Sequence, residues 1–367
     1  MDLHALAKDI RTWALDLGFD EIGITDVDLS ASSREYRQWL CQRFHGEMHY
    51  MERNVEKRLA PAELVPGTVR IISARMNYAP PSPPHNLQEP ALAYISRYAT
   101  GRDYHKVLRR KLAKIAMKMS DAAGGSHRAF VDSAPVLEKP IAEKAGLGWI
   151  GKHTLAMHPE VGSYFFLGEI FTDLPLPTTD RKIEPQCGSC KACINVCPTN
   201  AIVGPGKLDA RKCISYLTIE LKGSIPEDLR PHIGNRVFGC DDCQLICPWN
   251  RFAPATREKD FAVRHDLDRK PIAELLEWSE EQFLENTRGM ALRRINYSQW
   301  TRNLSVAAGN APTDEALEQA LVRKRKEMVN RSDAMCVEHI DWAIRRLNGN
   351  LAQQTCSDTA STQQSTP

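Results

Sequence analysis

The spacing of its cysteines constrains this chain more than any other feature. Cys187-x2-Cys190-x2-Cys193-x3-Cys197 runs straight into Pro198, and Cys240-x2-Cys243-x3-Cys247 runs into Pro248. Eight of the eleven cysteines fall between Cys187 and Cys247, so the crowding itself is a signal. In a cytosolic chain such thiols stay reduced, and the pattern reads as metal ligation. The first run is the spacing that binds 4Fe–4S clusters in bacterial proteins: three close thiolates wrap three corners of one cubane, and the fourth serves a neighbouring one. The proline after each run stops a helix from continuing. With the ligands crossing over, Cys187, Cys190, Cys193 and Cys247 hold one cluster. Cys197, Cys240 and Cys243 begin the second, and Cys213 is the unassigned cysteine of the region that completes it. Two four-cysteine zinc sites would use the same thiolates, but they do not account for the four-cysteine run ending in proline.

A chain of 367 residues accommodates two or three domains. The fold class expected is a multidomain α+β or α/β protein. Residues 1–178 carry apolar runs (IGIT, VRIISA, RAFVDSAP, YFFLGEIF) that read as buried strands separated by helices, an α/β layer arrangement. Its clearest helix is capped by Asp103, buries Val107, Leu108, Leu112, Ile115 and Met119 on one face, and ends at Gly124–Gly125. Residues 179–255 are Cys-, Pro- and Gly-rich and form the two-cluster ferredoxin-like domain. Residues 256–348 read as short helices, with Thr313 and Ser332 as candidate caps, in a helical-repeat (HEAT-like) arrangement. Residues 349–367 are a polar tail expected to be disordered. No stretch approaches a membrane span. The N-terminal MDLHALAKDIRTWALDLGF is an amphipathic helix rather than a signal peptide, which predicts a cytoplasmic protein.

Outside the cysteines, Gly146-x-Gly148-x-x-Gly151 matches the dinucleotide fingerprint, but a helical stretch leads into it where a strand is required. Asp132 ends the apolar run RAFV, where a carboxyl against apolar walls favours its acid form and suits a proton donor; an Asp before a helix is equally a cap. Arg293, Arg294 and Arg302, interleaved with Tyr297 and Trp300, and the run Arg323 to Lys326 are basic stretches suited to phosphate or to a solvated helix face.

Together, RYATGRDYH (97–105), VDSAPVLEKPIAEKAGLGWIGKHT (131–154), GSYFFLGEI (162–170), the cysteine runs, CISYLTIE (213–220) and RRINYSQWTRNLSVAAGN (293–310) resemble the epoxyqueuosine reductases over all but the polar tail. That resemblance implies a cobalamin-binding N-terminal domain, a two-cluster ferredoxin domain and a C-terminal helical domain that grips tRNA. It also implies reduction of an epoxide on the modified wobble base to the alkene, the last step of queuosine synthesis, on tRNAs with a GUN anticodon. An external low-potential donor would recharge the cobalamin through the clusters. The resemblance puts the proton donor on Asp132. It puts cobalamin contacts at Arg58, Tyr98, Ile150, Gly151, Lys152, His153, Thr154 and Ser163, with the segment Cys240, Asp241, Asp242 and Cys243 bringing the second cluster near. Ser215 and Lys222 fall near the tRNA, joined by the basic Arg293 and Arg294. The alternatives are a corrinoid reductive dehalogenase acting on small molecules, which would carry a twin-arginine leader, and a plain ferredoxin-type carrier, which needs no α/β domain.

Overall fold

A computed structural model describes residues 2–81 and 85–362, with side chains described as far as Gly349. It separates into two compact units that interleave along the chain: residues 1–81, 101–213 and 241–262 in the first, residues 82–100, 214–240 and 263–367 in the second. The sequence reading draws contiguous domains; the units are discontinuous instead. Among the described residues no helix is long and apolar enough to cross a membrane.

The first unit is built on a four-stranded sheet. Its strands are β1 (Glu21–Thr25), β2 (Arg70–Asn77), β3 (His127–Phe130) and β4 (Phe165–Thr172), in the order β1-β2-β4-β3. All three pairings are antiparallel, so this is not the parallel kind of sheet that holds ligands at its strand ends. The four apolar runs of the sequence are these four strands. β2 and β4 pair over their full lengths, with Ser73 opposite Glu169 and Leu167 opposite Arg75. Helix α1 (Leu3–Asp16) and helix α2 (Tyr104–Ala123) flank the sheet. Asp103 caps α2 through the His105 N–H, its five expected apolar positions are buried, and Gly124 closes it at φ +66°. Helix α3 (Glu138–Lys144) follows the turn after β3; Val136 and Ile141 pack with Ile71, Phe130 and Phe171. The cysteine-rich segments carry only single turns, α4 (Ala192–Val196) and α5 (Asp242–Leu245).

The second unit is helical, with a short parallel pairing of Tyr94–Ile95 with Arg236–Phe238. Its longest helices are α6 (Tyr297–Gly309), α7 (Glu315–Asn330) and α8 (Ala334–Thr362). A capping box at Asn296 starts α6, and Asp314, not Thr313, caps α7. Asp333 bonds the Cys336 N–H at the start of α8 in place of the expected Ser332. The backbone of α8 continues to Thr362 through the first part of the expected tail, whose Ala and Gln residues favour helix; residues 363–367 lie outside the described residues.

Candidate iron–sulfur and proton-donor sites

The first cysteine loop folds over itself, Cys190 N–H donating to the Cys187 carbonyl at 3.1 Å before α4 begins. Lys152 fixes it from outside, donating to the carbonyls of Gly188 (2.5 Å) and Cys190 (2.8 Å). Trp149 points its indole N–H at Cys187 Sγ, 3.5 Å away. A cavity of about 260 Å³ is lined by Cys187, Cys190, Cys193 and Cys247, with Trp149's neighbour Trp249 and Phe252 at its walls. Burial, and then the charges of Cys247, Cys187 and Cys190, push the Cys193 thiol above its usual range. Cys243 is pushed up far more, by burial and then by Cys213, Asp241 and Cys197. The thiols therefore gather in two neighbouring sets, with Cys193 also close enough to act on Cys243. One is Cys187, Cys190, Cys193 and Cys247; the other is Cys197, Cys213 and Cys243. Cys240 ends the last-but-one segment of the second unit, directly before Asp241 in the chain. Such mutual repulsion among thiolates is relieved when they share a cationic centre. The donor set and the cavity suit a cubane.

Asp132 sits in the turn beyond β3 with φ +47°, a left-handed backbone that costs a non-glycine residue energy. Its side chain is 57% exposed, beside Tyr104 and His105, so it is not enclosed by the apolar walls that the sequence suggested. Tyr104 donates its hydroxyl to Asp132 Oδ2 at 2.5 Å, and His105 Nε2 lies 3.6 Å from the same oxygen. Burial opposes charge on His105, but hydrogen bonds to Asp103 and Asp132 outweigh it and hold the imidazole up at about 9, so it is cationic at neutral pH. The Asp132 N–H donates to Glu138 Oε1 at 2.5 Å. Glu138 is raised to about 8 by burial and then by the Asp132 charge. Behind it Glu169 is raised well above the carboxylate range by burial and the Glu138 carboxyl. Sequence reasoning singled out Asp132 and neither glutamate beside it; the one signal was Glu169 as the lone acid in the apolar run YFFLGEIF.

The remaining expected contacts are placed as follows. Arg58 is buried and donates to the carbonyls of Tyr50 and Val136. Ile150 pairs with Ala156 in a small hairpin, its N–H bonding Glu143. Gly151 N–H bonds the Leu155 carbonyl, and the Thr154 carbonyl accepts from Lys139. His153 is buried and held down at about 4 by burial and then by Lys139. Ser163 is bonded by Asn250 and Gln244. Asp241 and Asp242 are buried. Gly148 lies at φ +153°, and a Cβ there would stand 2.0 Å from the Met157 carbonyl; Gly146 is blocked likewise by the Arg181 carbonyl. These glycines serve the chain's own packing, and no strand–turn–helix surrounds them. In the second unit, Tyr98 lies in the turn Arg97–Ala99 with its ring 6.2 Å from Phe238. Ser215 is on the helix Ile214–Ile219, Lys222 is exposed just beyond it, and Arg294 pairs with Glu220 at 2.7 Å. Arg293 is exposed.

The basic stretches need correction. Arg302 is fully buried and donates to the carbonyls of Leu217, Leu221 and Gly223. Tyr297 and Trp300 are core residues. Lys324 is buried against Tyr297 and Glu327, while Arg323 and Arg325 pair with Glu277 and Asp341. Arg302 and Lys324 hold the helical unit together and are not free for phosphate, whereas Arg323 and Arg325 are surface ion pairs, as Arg294 is.

Fold and thiol sets together define an iron–sulfur protein with two cluster sites. Residues 186–250 match the family model described as a 4Fe-4S double cluster binding domain, and residues 58–133 match that described as "Epoxyqueuosine reductase QueG, DUF1730". The chain is 53% identical over 94% of its length to the epoxyqueuosine reductase of Escherichia coli, covering 90% of it. It is equally identical to that of Pseudomonas aeruginosa, covering 95% of that protein. Among solved structures, an epoxyqueuosine reductase with an epoxyqueuosine-modified stem loop of a tyrosine tRNA superimposes with TM-score 0.81 at 26% identity, over 95% of this chain and all of that one. The Bacillus subtilis enzyme, described with its catalytic aspartate loop swung out of the active site, matches with TM-score 0.81 at 28% identity, over 94% of this chain and 91% of that one. This chain belongs to the epoxyqueuosine reductase family and is an oxidoreductase.

Proposed function

We propose that this chain reduces epoxyqueuosine to queuosine at the wobble position of tRNA anticodons. The observation that carries the reading is the likeness over nearly its whole length to epoxyqueuosine reductases. Loss of the epoxide oxygen as water consumes two electrons and two protons, and the side chains divide between these tasks. Cys187, Cys190, Cys193 and Cys247 hold one 4Fe–4S cluster, and Cys197, Cys213, Cys240 and Cys243 hold the other. They pass electrons singly from an external low-potential donor. Cobalamin, when bound, supplies the strongly reducing centre. Arg58, Ile150 to Thr154 and Ser163 would hold it, with Tyr98, Asp241 and Asp242 carried from the resemblance alone. In support, Arg58 keeps a buried Nε without a hydrogen-bond partner among the described residues, a polar atom suited to a ligand amide.

Asp132 donates the proton to the departing oxygen. Tyr104 orients its carboxyl, and cationic His105 stabilises the carboxylate left behind. Ser215, Lys222, Arg293 and Arg294 contact the anticodon stem-loop, whose target base must leave its stack to react. The test is anaerobic reconstitution with iron, sulfide and cobalamin, then a single turnover on an epoxyqueuosine-bearing stem-loop. Wild type forms queuosine. Asp132→Asn keeps its iron and its stem-loop affinity and loses about 10²–10⁴-fold in rate. No product from the loaded wild type refutes the reaction, and a wild-type rate from Asp132→Asn removes Asp132 from it.

A further inference from the structure

Glu169 is a fully buried acid in the middle of a sheet strand, opposite Ser73. Its Oε1 is 3.3 Å from the Ser73 hydroxyl, while Oε2 has no donor among the described residues. What faces it is another acid: the carboxyl of Glu138, the first residue of α3. Two carboxylates cannot both ionise in contact, and a shared proton makes the pair a hydrogen bond instead of a repulsion. The charged groups around the pair are Asp132, cationic His105 on α2 and Lys139, whose ammonium is already bonded to the Thr154 carbonyl. Burying Glu169 fully beside the half-buried Glu138 costs free energy that apolar residues would not, and the structural frame of β2 and β4 needs neither.

The reaction supplies a reason. Epoxide plus two electrons and two protons gives alkene plus water: both carbon–oxygen bonds break, the carbon pair is reduced, and both protons end on the oxygen. Asp132 carries one proton. A second must arrive before the oxygen leaves as water. The Glu138 carboxyl takes the Asp132 N–H at 2.5 Å, beside the exposed turn, and the Glu169 carboxyl in the sheet acts on Glu138 in turn.

We propose that Glu138 and Glu169 form a proton store that recharges Asp132 within each turnover, Glu138 passing the shared proton forward and Glu169 holding it. They are relay residues acting through Asp132, and the inference rests on Asp132 being the donor. Infrared difference spectroscopy on the iron-loaded protein across pH 6 to 9 reads the store directly. Wild type shows a protonated-carboxyl band at neutral pH that Glu169→Gln and Glu138→Gln each abolish. In single turnover, both variants keep iron and stem-loop binding, lose on the order of 10²-fold in rate at alkaline pH and regain part of it toward pH 6. Asp132→Asn is slow at every pH. Absence of the band in wild type overturns the proposal, even where a variant fails to fold. So does a Glu169→Gln rate that follows the wild-type pH profile while Asp132→Asn stays slow. A fast Asp132→Asn protein instead refutes the reading of Asp132 itself.

Discussion

Replacing Arg302 with leucine separates a structural arginine from a tRNA contact. The guanidinium is fully buried in the second unit and donates to the carbonyls of Leu217 at 2.8 Å, Leu221 at 2.8 Å and Gly223 at 2.6 Å. Leucine fills much of the volume and satisfies none of these oxygens. Gln299 Nε2 still reaches the Leu221 carbonyl, but the Leu217 and Gly223 carbonyls and Asn303 Oδ1 lose their arginine donor; each buried acceptor left unpaired costs about 1–3 kcal/mol, so three cost at least about 3 kcal/mol. That is a large share of the roughly 5–15 kcal/mol that holds a domain folded. In a unit of this size each kcal/mol moves the melting temperature by about 2–4 °C. The unit therefore melts at least about 6 °C lower, or fails to fold. Arg302→Lys, which keeps a charged donor on a shorter reach, falls between. The assay is thermal unfolding followed by circular dichroism, beside stem-loop binding at fixed salt. An Arg302→Leu protein that melts like wild type but binds RNA weakly would overturn the assignment and return Arg302 to the surface.

Other expectations are more local. Cys193→Ser and Cys243→Ser should each lose about half of the iron, since the two thiols fall in different sets, and iron analysis after anaerobic purification reads this directly. His105 carries a raised affinity for its proton, near 9. Its contribution to stability is thus fully present below the unfolded value of about 6.5 and is lost as pH rises through 9; urea midpoints should fall across that window in wild type and stay flatter in His105→Gln. Stem-loop affinity should weaken steeply with salt, and Arg293→Gln should reduce the slope of log affinity against log salt by about 0.7 for a single-stranded contact. An unchanged slope would exclude Arg293 from the phosphate contacts.

The double-cluster segment, the four strands and helix α2 were legible because each follows a local rule: cysteine spacing, apolar runs with turn residues between them, and an N-cap ahead of a 3.6-residue period. The antiparallel order of the sheet was not legible, because it is set by long-range pairing such as Ser73 with Glu169. The interleaving of the units is likewise a property of which segments pack together. Helix α6 misled for another reason. Almost every one of its residues is buried, polar ones included, so it has no wet face for periodicity to find. Gln299, Arg302 and Asn303 spend their polar groups on carbonyls of Leu217, Thr218, Ile219, Leu221 and Gly223, and a basic residue among aromatics then looks like a nucleic-acid surface.

In the reaction proposed above, the loop Ile150 to Thr154 would tie the electron supply to the proton supply within the first unit. Lys152 grips the cysteine loop through the carbonyls of Gly188 and Cys190. Two residues on, the Thr154 carbonyl accepts from Lys139, the neighbour of Glu138 at the start of α3, and the Ile150 N–H is held by Glu143 from the same helix. A deoxygenation that receives electrons without protons strands charge on oxygen, and one that receives protons without electrons breaks no bond. Holding both supplies through one short, hydrogen-bonded loop fixes their spacing to the reacting centre, the positional control on which a step of this kind depends. Lys152→Met would then slacken the cysteine loop and the 150–154 segment together, lowering turnover more than it lowers iron content; equal losses in both would mean that Lys152 serves the cluster alone.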